Sequence, residues 1–334
     1  MRIGVDAMGG DHAPAEIIRG AVDGLRFLGP TDGLVLIGRE DAIREHLPAE
    51  ARDDKRISIV HTTQVIEMDD SPVEALRQKK DSSILVMAKL GAKREVDAVI
   101  SAGNTGACAA ACQLSMKTIG AVQRPGIAVV LPSFHGPMTI CDVGANTTPK
   151  PIHLLQYAQM AAVYSEKILG IKNPRVGLVS IGGEEVKGSP LVKTTHKLMR
   201  QDTSLNFVGN VEGRDLFAGA CDAAVCDGFT GNVVLKLTEG LSEGIFNTIQ
   251  REIATESPEL AERFKPVVKT IWARHDYSEY GGAPLLGVDG NCIICHGSSH
   301  ARAIMNAVRV AVQFVRSELT SALRGRVTEE PVDA

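Results

Sequence analysis

The sequence predicts an α/β fold, with three α/β/α layers around a mostly parallel sheet. Short apolar runs alternate with amphipathic segments along the 334 residues, and several of these runs end in glycine-rich turns. Such alternation is typical of a parallel sheet that is buried on both faces by helices. Because no low-complexity linker interrupts the chain, we predict one catalytic domain over 1–324, with a cleft between two halves, and a flexible polar tail over 325–334.

The individual elements follow from the spacing of apolar residues. Runs bounded by turn residues predict strands, and periods near 3.6 predict helices. The strands are predicted at 2–6, 33–38, 57–61, 96–101, 126–131, 138–143, 175–181, 205–211, 223–225 and 291–295. Helices are predicted to begin at Pro14 and Ser71 and to cover 41–47, 82–92, 105–119, 152–169, 191–201, 233–254 and 299–323. The two strands between 126 and 143 form a predicted hairpin that divides the halves.

Composition excludes several classes of function. Aromatic residues make up 4% of the chain and the net charge is −4, which argues against a nucleic-acid partner. No apolar run approaches the length of a membrane span, and the N-terminal strand pattern lacks the layout of a secretory signal. With seven cysteines, an odd number, the sequence predicts a reducing cytoplasmic location.

The cysteines and the missing motifs argue against metals and cofactors. Cys292 and Cys295 lie in one predicted strand, whose alternation places their sulfurs on opposite faces. Cys108 and Cys112 share a helix face and are expected to be core residues without nearby partners. The chain contains no P-loop, no dinucleotide-binding fingerprint and no nucleophile elbow. We therefore expect no metal and no cofactor.

Three glycine-rich loops favour a site for an anion. The segments 101–106 and 226–232 each contain Gly-x-Thr-Gly between a predicted strand and a helix, and 6–11 ends the first strand similarly. Any one of them alone is explained as a tight turn, but three together favour phosphate or another anion held by backbone N–H groups. The binding residues predicted there are Asp6, Gly9, Gly10, Ser101, Gly103, Asn104, Thr105, Gly106, Gly228, Thr230 and Gly231.

Three further polar clusters follow predicted strands. The loop 181–188 contains Glu185 and Lys187 between glycines; a solvated loop explains the glutamates about as well, whereas a lysine beside glycine N–H donors is typical of a phosphate site. Asn146 ends the cluster that begins at Asp142. His296 follows a buried strand at the carboxyl end, where open α/β sheets bind ligands, although a single histidine is more often structural.

These motifs resemble one family. They are 6–11, 101–107, 142–146, 181–188, 227–232 and 280–287, and they occur in that order. Together they closely resemble the bacterial acyl-[acyl-carrier-protein]:phosphate acyltransferases of phospholipid synthesis, over residues 1 to about 320. Several of the matching motifs are long and ungapped.

The resemblance implies a reaction and its partners. Inorganic phosphate attacks the thioester of a long-chain acyl-carrier protein, and the acyl phosphate produced passes to a glycerol-3-phosphate acyltransferase in the membrane. The family's fold is similar to isocitrate and isopropylmalate dehydrogenases and to phosphotransacetylase. Its members are homodimers with peripheral membrane contact.

The resemblance also implies roles for individual residues. Lys187 and Asn232 match family positions tied to activity, and we assign them phosphate binding and stabilisation of the oxyanion. Asn146 and Glu185 join the substrate-binding set, and His296 is a candidate to protonate the leaving sulfur.

One region departs from the family pattern. The segment 255–264 is largely polar where members often carry an apolar tip that touches the bilayer. The stripe of Val267, Val268, Ile271 and Trp272 is more typical of core or of a dimer interface. The nearby cations Arg263, Lys265, Lys269 and Arg274 fit either an acidic carrier protein or a solvated helix face.

Three other functions stay open at this point. An acyl-coenzyme A-dependent phosphotransacylase shares the loops and differs in its donor. A nicotinamide dehydrogenase of the same broad fold is disfavoured by the missing fingerprint. A non-catalytic scaffold that recruits lipid enzymes to the membrane would be favoured by an inactive Lys187 variant that still supports lipid synthesis in cells.

Overall fold

The computed structural model of the chain describes residues 1–275 and 281–327, with side chains left undescribed at 269–275. Within these residues, eleven strands form one sheet. They are β1 (Arg2–Asp6), β2 (Gly33–Gly38), β3 (Ile57–His61), β4 (Ala98–Ser101), β5 (Gly126–Ser133), β6 (Gly136–Cys141), β7 (Arg175–Val179), β8 (Asn206–Val211), β9 (Ala223–Val225), β10 (Ala283–Leu286) and β11 (Asn291–Ile294). Predictions for Lys269, Ile271, Trp272, Arg274, Tyr280 and 328–334 fall outside what is described.

Helices cover both faces of the sheet. They are α1 (Ala15–Asp23), α2 (Glu40–His46), α3 (Pro72–Gln78), α4 (Ser83–Ala92), α5 (Thr105–Met116), α6 (Pro151–Ile168), α7 (Pro190–Gln201), α8 (Gly228–Glu256), α9 (Pro258–His275), α10 (Ala301–Ser317) and α11 (Leu319–Arg324). One apolar cluster joins the sheet to α1, α2, α6, α7, α10 and α11. The other joins it to α3, α4, α5 and part of α8. The predicted α/β/α layering is confirmed.

The sheet consists of two parallel groups joined by antiparallel strands. The strand order is β3-β2-β1-β4-β11-β10-β5-β6-β9-β7-β8. The group from β3 to β11 is parallel, and so is the group from β6 to β8, whereas β10 and β5 pair antiparallel with their neighbours. The predicted hairpin of β5 and β6 is confirmed, and it stands at the junction of the halves.

The antiparallel junction fixes how the two halves face one another. Between β4 and β9 the order contains five pairings, three of them antiparallel, so the two strands run in opposite senses. Twist of about 20–25° per pairing adds roughly 100–125°. The two strand directions therefore differ by only about 55–80°. Loops at the carboxyl ends of the two groups can therefore approach one another, as the contact between Lys236 of α8 and His296 after β11 shows.

Some expected boundaries were wrong for local reasons. Strand β10 was missed because its four residues include a proline and show no alternation. Helix α9 was expected only as the apolar helical stripe at 267–272, because its first half is largely polar. The single helix predicted over 299–323 breaks at Glu318, which adopts a positive φ of 52°. The expectation that Cys108 and Cys112 lack partners was also wrong: the sulfurs of Cys112 and Cys292 lie 3.4 Å apart in the core.

The predicted placement of the Cys292 and Cys295 sulfurs on opposite faces of the sheet is confirmed. Cys292 belongs to one apolar cluster and Cys295 to the other, so the two sulfurs lie on opposite faces of β11. Cys108, Cys112 and Cys292 form a buried group whose sulfurs all lie within 4.8 Å of one another. Burial raises the pKa of the Cys295 thiol to about 12, which keeps it protonated.

Candidate active site

Loops after β1 and β4 interlock in the first half. Asp6 ends β1 fully buried, and its carboxylate accepts a hydrogen bond from the Ser101 hydroxyl at 2.7 Å. The same hydroxyl accepts the Gly103 N–H at 3.1 Å. A Cβ built at Gly9 would lie 2.5 Å from Asp6 Oδ2 and 2.6 Å from Gly103 N. The predicted residues thus come together, and glycine is needed at position 9 for close packing.

Asn104 holds the first Gly-x-Thr-Gly loop in place. Its side-chain oxygen caps α5 by accepting the Ala107 N–H at 3.0 Å, and its Nδ2 donates to the carbonyls of Met68 and Asp70 at 3.1 and 3.0 Å. Because these bonds use the whole amide, Asn104 acts as a brace. The next two residues, Thr105 and Gly106, are exposed at the N-terminus of α5. Their position gives an anion access to a helix end capped by a neutral side chain.

The loop after β6 and the start of α8 interlock in the second half. The buried carboxylate of Asp142 accepts four backbone N–H groups, among them Asn146 N at 2.7 Å. The Asn146 side chain donates to Pro125 O and Tyr157 Oη at 2.7 and 2.6 Å. Burial raises the pKa of Asp142, and the four N–H bonds oppose that shift. Asn146 therefore supports the loop, rather than presenting a free amide.

The glycines of the second Gly-x-Thr-Gly loop serve close packing. A Cβ at Gly228 would lie 2.7 Å from the carbonyl oxygen of Asn146, and one at Gly231 would lie 1.9 Å from that of Asp142. Thr230 is also engaged: its N–H and hydroxyl donate to the Asp227 carboxylate at 2.9 and 2.7 Å. This loop thus begins a helix that already has an anionic cap.

Helix α8 links the two halves. Lys236, two turns into α8, places its ammonium 2.5 Å from His296 Nε2 after β11. The ammonium also donates to Glu239 at 3.1 Å. Asn232 is exposed one turn earlier, four residues from Lys236 and hence on the same helix face. The loop of His296 in turn contacts the loop after β1, because Asp11 N donates to Gly297 O at 2.8 Å.

His296 is held as a neutral imidazole. Burial and the neighbouring Lys236 ammonium lower the pKa of His296 below its usual 6.5. His296 Nε2 lies beside the Lys236 ammonium, while Nδ1 lies 2.7 Å from the Ser298 hydroxyl and accepts the Ser298 backbone N–H at 3.2 Å. Because the lowered pKa leaves less of the protonated form at neutral pH, it does not favour the predicted role of His296 as acid for the sulfur. The Lys236 ammonium is a second candidate proton donor at this position, and sequence reasoning missed it because it lies inside a regular helical pattern.

The loop containing Lys187 stands somewhat apart. It follows β7, which lies beside β9 in parallel register, so it leaves the same edge as α8. The side chain of Lys187 is exposed, and among the described residues no contact joins it to Asn232. Glu185 is occupied by Arg200 at 2.8 Å. The structure thus places Asn232 one helical turn from Lys236, which contacts His296, and places Lys187 on a neighbouring exposed loop.

Comparison with protein families identifies the family of this chain. The family described as fatty acid synthesis protein matches residues 1–322. A phosphate acyltransferase of Desulfitobacterium hafniense is 51% identical over 321 residues, covering 95% of each chain. One from Desulforamulus reducens is 47% identical over 325 residues, covering 97% of this chain and 96% of the relative. The chain belongs to this family. The resemblance drawn from its motifs is therefore confirmed.

Solved structures confirm the fold. A phosphotransacetylase from Streptococcus pyogenes superposes with a TM-score of 0.64 at 15% identity, covering 95% of this chain and 94% of the other. A branched-chain phosphotransacylase from Enterococcus faecalis gives 0.60 at 14% identity, covering 94% and 99%. The similarity to phosphotransacetylase expected for this family member is thus confirmed. Among the described residues, the helices do not combine the length and hydropathy needed to span a bilayer.

Proposed function

We propose that this protein transfers a long-chain acyl group from acyl-carrier protein to inorganic phosphate, giving an acyl phosphate for phospholipid synthesis. The observation that carries the proposal is the contact of Lys236 with His296. This contact brings the loops of the second half, through α8, to the loops of the first. Family membership supports the same chemistry.

The residues support a simple reaction path. A phosphate oxygen attacks the thioester carbonyl carbon, and the C–O bond forms as the carbonyl becomes an oxyanion. The carbonyl then re-forms as the C–S bond breaks, and the leaving sulfur takes a proton from the Lys236 ammonium. The proton that the phosphate group gives up on becoming an acyl phosphate restores the ammonium. Because phosphate is already anionic and a thiolate leaves readily, positioning and charge stabilisation are the main tasks. Exposed N–H groups at Thr105 and Gly106 suit the phosphate.

Lys187 and Asn232 keep the roles assigned from sequence. We assign Lys187 to phosphate and Asn232 to the oxyanion, since both are exposed on loops or helix turns that leave the same sheet edge. Closure of the Lys187 loop onto the substrate would bring the two together.

Release of free thiol tests the function directly. We expect wild-type protein, given hexadecanoyl-acyl-carrier protein, to release carrier thiol in proportion to phosphate, with hexadecanoyl-coenzyme A a poorer donor. Lys187→Ala should lower kcat/KM by about 10²–10³, the usual cost of losing one such donor. Lys193→Ala, on the following helix, is the control. No release from either donor at any phosphate concentration would refute the acyl transfer.

The exposed face of α8 supports a homodimer. Large apolar side chains recur at every fourth position and are 42–67% exposed, from Phe229 through Val233, Leu237, Leu241 and Ile245 to Ile249. An apolar stripe of this length is typical of a surface that another protein covers. We propose that a second copy covers it. Sedimentation of the wild-type protein at the monomer mass, at micromolar concentration, would contradict this.

Peripheral membrane contact also belongs to the proposal. The product has a long apolar tail and must reach a glycerol-3-phosphate acyltransferase in the bilayer. The segment 255–264 is mostly polar, but Phe264 and Val267 on α9 are 42% and 49% exposed. Cosedimentation with anionic vesicles tests the contact, and we expect weak, salt-sensitive binding. We propose that the protein is cytoplasmic and associates peripherally with the membrane.

A further inference from the structure

A basic-rimmed groove lies between α3 and α5. Its volume is about 620 Å³, and it is lined by Val73, Leu76, Arg77, Lys80, Ala110, Gln113, Leu114, Lys117, Thr118 and Arg124. Val73 and Leu114 are 56% and 73% exposed, so apolar surface reaches solvent along both walls.

The charge around this groove is of one sign. Arg77, Lys80, Lys117 and Arg124 surround it, and no lining residue is acidic. In the part of the chain that the structure describes, these four cations form no ion pair, whereas Arg44, Arg56 and Arg175 elsewhere each bind a carboxylate. The nearby Glu74 accepts a hydrogen bond from Gln78 and does not line the groove. The rim therefore presents uncompensated positive charge.

The elements that form the groove connect to the loops of the candidate active site. Helix α5 starts in the first Gly-x-Thr-Gly loop, and Pro72 at the start of α3 lies against Gly106. Arg124 precedes Pro125, whose carbonyl accepts the Asn146 amide. The residues of α5 that line the groove, Ala110, Gln113 and Leu114, belong to the C-terminal half of the helix, so the groove lies between the two sets of loops.

We propose that this groove is the docking site for the acyl-carrier protein, with an acidic amphipathic helix of the carrier lying along it. An amphipathic helix in an apolar groove is a common recognition mode, and the four cations complement an acidic partner. The inference rests on the proposed function, since it names where the acyl donor binds. It replaces the expectation that the cations between 263 and 274 receive the carrier protein. Of these, Lys265 is already paired with Glu262.

The charge test uses binding alone, so it does not depend on turnover. The probe is fluorescently labelled carrier protein without its prosthetic arm, measured by anisotropy. In the Arg77→Glu/Lys117→Glu variant, we expect Kd to rise at least about tenfold, because like charges then face each other. In the control Lys55→Glu/Lys172→Glu, which changes the net charge equally on exposed residues outside the groove, Kd should stay within about twofold of wild type.

The apolar wall gives a second variant that folds without difficulty. Leu114 is exposed, so Leu114→Ser leaves the core intact, and we expect Kd to rise about three- to tenfold. Unchanged affinity in both groove variants, or no binding of carrier by the wild type, would overturn the proposal. A change of mass on sedimentation in the Leu114→Ser variant would also overturn it, because the groove would then be a contact between copies.

Turnover separates this inference from the proposed function. With hexadecanoyl-carrier protein as donor, KM should rise in the Arg77→Glu/Lys117→Glu variant, and the ratio of its kcat/KM to that for a hexadecanoyl-pantetheine donor should fall about tenfold. If wild-type protein releases thiol from the carrier while this ratio is unchanged, the groove is wrong and acyl transfer stands. If no thiol is released, acyl transfer itself fails.

Discussion

The two Gly-x-Thr-Gly loops share a sequence but differ in what surrounds them. The loop 103–106 begins α5 behind Asn104, a neutral cap whose amide is fully bonded within the protein. The loop 228–231 begins α8 behind Asp227, whose negative charge already satisfies the helix end. An anion is therefore favoured at the first loop and disfavoured at the second. The shared Gly-x-Thr-Gly sequence reflects a shared requirement of the backbone, whereas the neighbouring side chains decide whether an anion is favoured.

The glycines give the largest expected difference between the loops. A Cβ at Gly231 would lie 1.9 Å from a backbone carbonyl, whereas one at Gly106 would meet the Pro72 side chain at 2.8 Å. We expect Gly231→Ala to lower the free energy of unfolding by about 3 kcal/mol, at the upper end for overpacking. Gly106→Ala should cost about 1 kcal/mol or less, since alanine also favours the helix. Urea unfolding measures both.

That comparison has a clear failing outcome. Equal losses of stability in the two variants would show that the two loops tolerate a side chain alike, and that the close approach of α8 to the Asp142 carbonyl is not a constraint on position 231. Both proteins should show wild-type circular dichroism before unfolding, so that the losses refer to the same native state.

Much of the fold was predictable because it depends on local pattern. Alternating apolar segments identified the parallel strands, and Pro14 and Ser71 marked helix starts that the structure keeps, since α1 begins at Ala15 and α3 at Pro72. The direction of one half relative to the other was not predictable. It depends on β10, a four-residue strand whose pairing partners lie far away along the chain.

The candidate site was predictable as a set of loops but less so as roles. Asn104, Asn146 and Thr230 were expected to bind substrate, yet each has its side chain engaged within the protein. Sequence cannot distinguish a polar residue that braces a loop from one that faces a ligand, because both follow a strand. Lys236 was not predicted as a site residue, because it lies in a regular helical pattern and only the tertiary fold brings it against His296.

Charge at the second loop gives a smaller effect on phosphate. Asp227→Asn keeps a side chain that caps helices well but removes the negative charge at the start of α8. If α8 borders the phosphate, KM for phosphate should fall about two- to fivefold, as 0.3–1 kcal/mol of helix-end electrostatics implies. Steady-state kinetics at varied phosphate measures it, with the exposed Asp53→Asn as the control for net charge. An unchanged KM would mean that the second loop does not border the bound phosphate.

The smallest expected effect is a pKa shift at the contact between the halves. Burial and the Lys236 ammonium both lower the pKa of His296, so Lys236→Met should raise that pKa toward 6.5, with burial holding it below. Because the folded protein binds this proton less readily than the unfolded chain, the stability associated with neutral His296 is present above pH 6.5. It is lost as the pH falls through the folded pKa. NMR titration of the imidazole in both proteins measures the shift, with His61→Gln to aid assignment. An unmoved pKa in Lys236→Met would mean that α8 does not hold its ammonium against the His296 loop in solution, and the electrostatic link between the two halves would be lost.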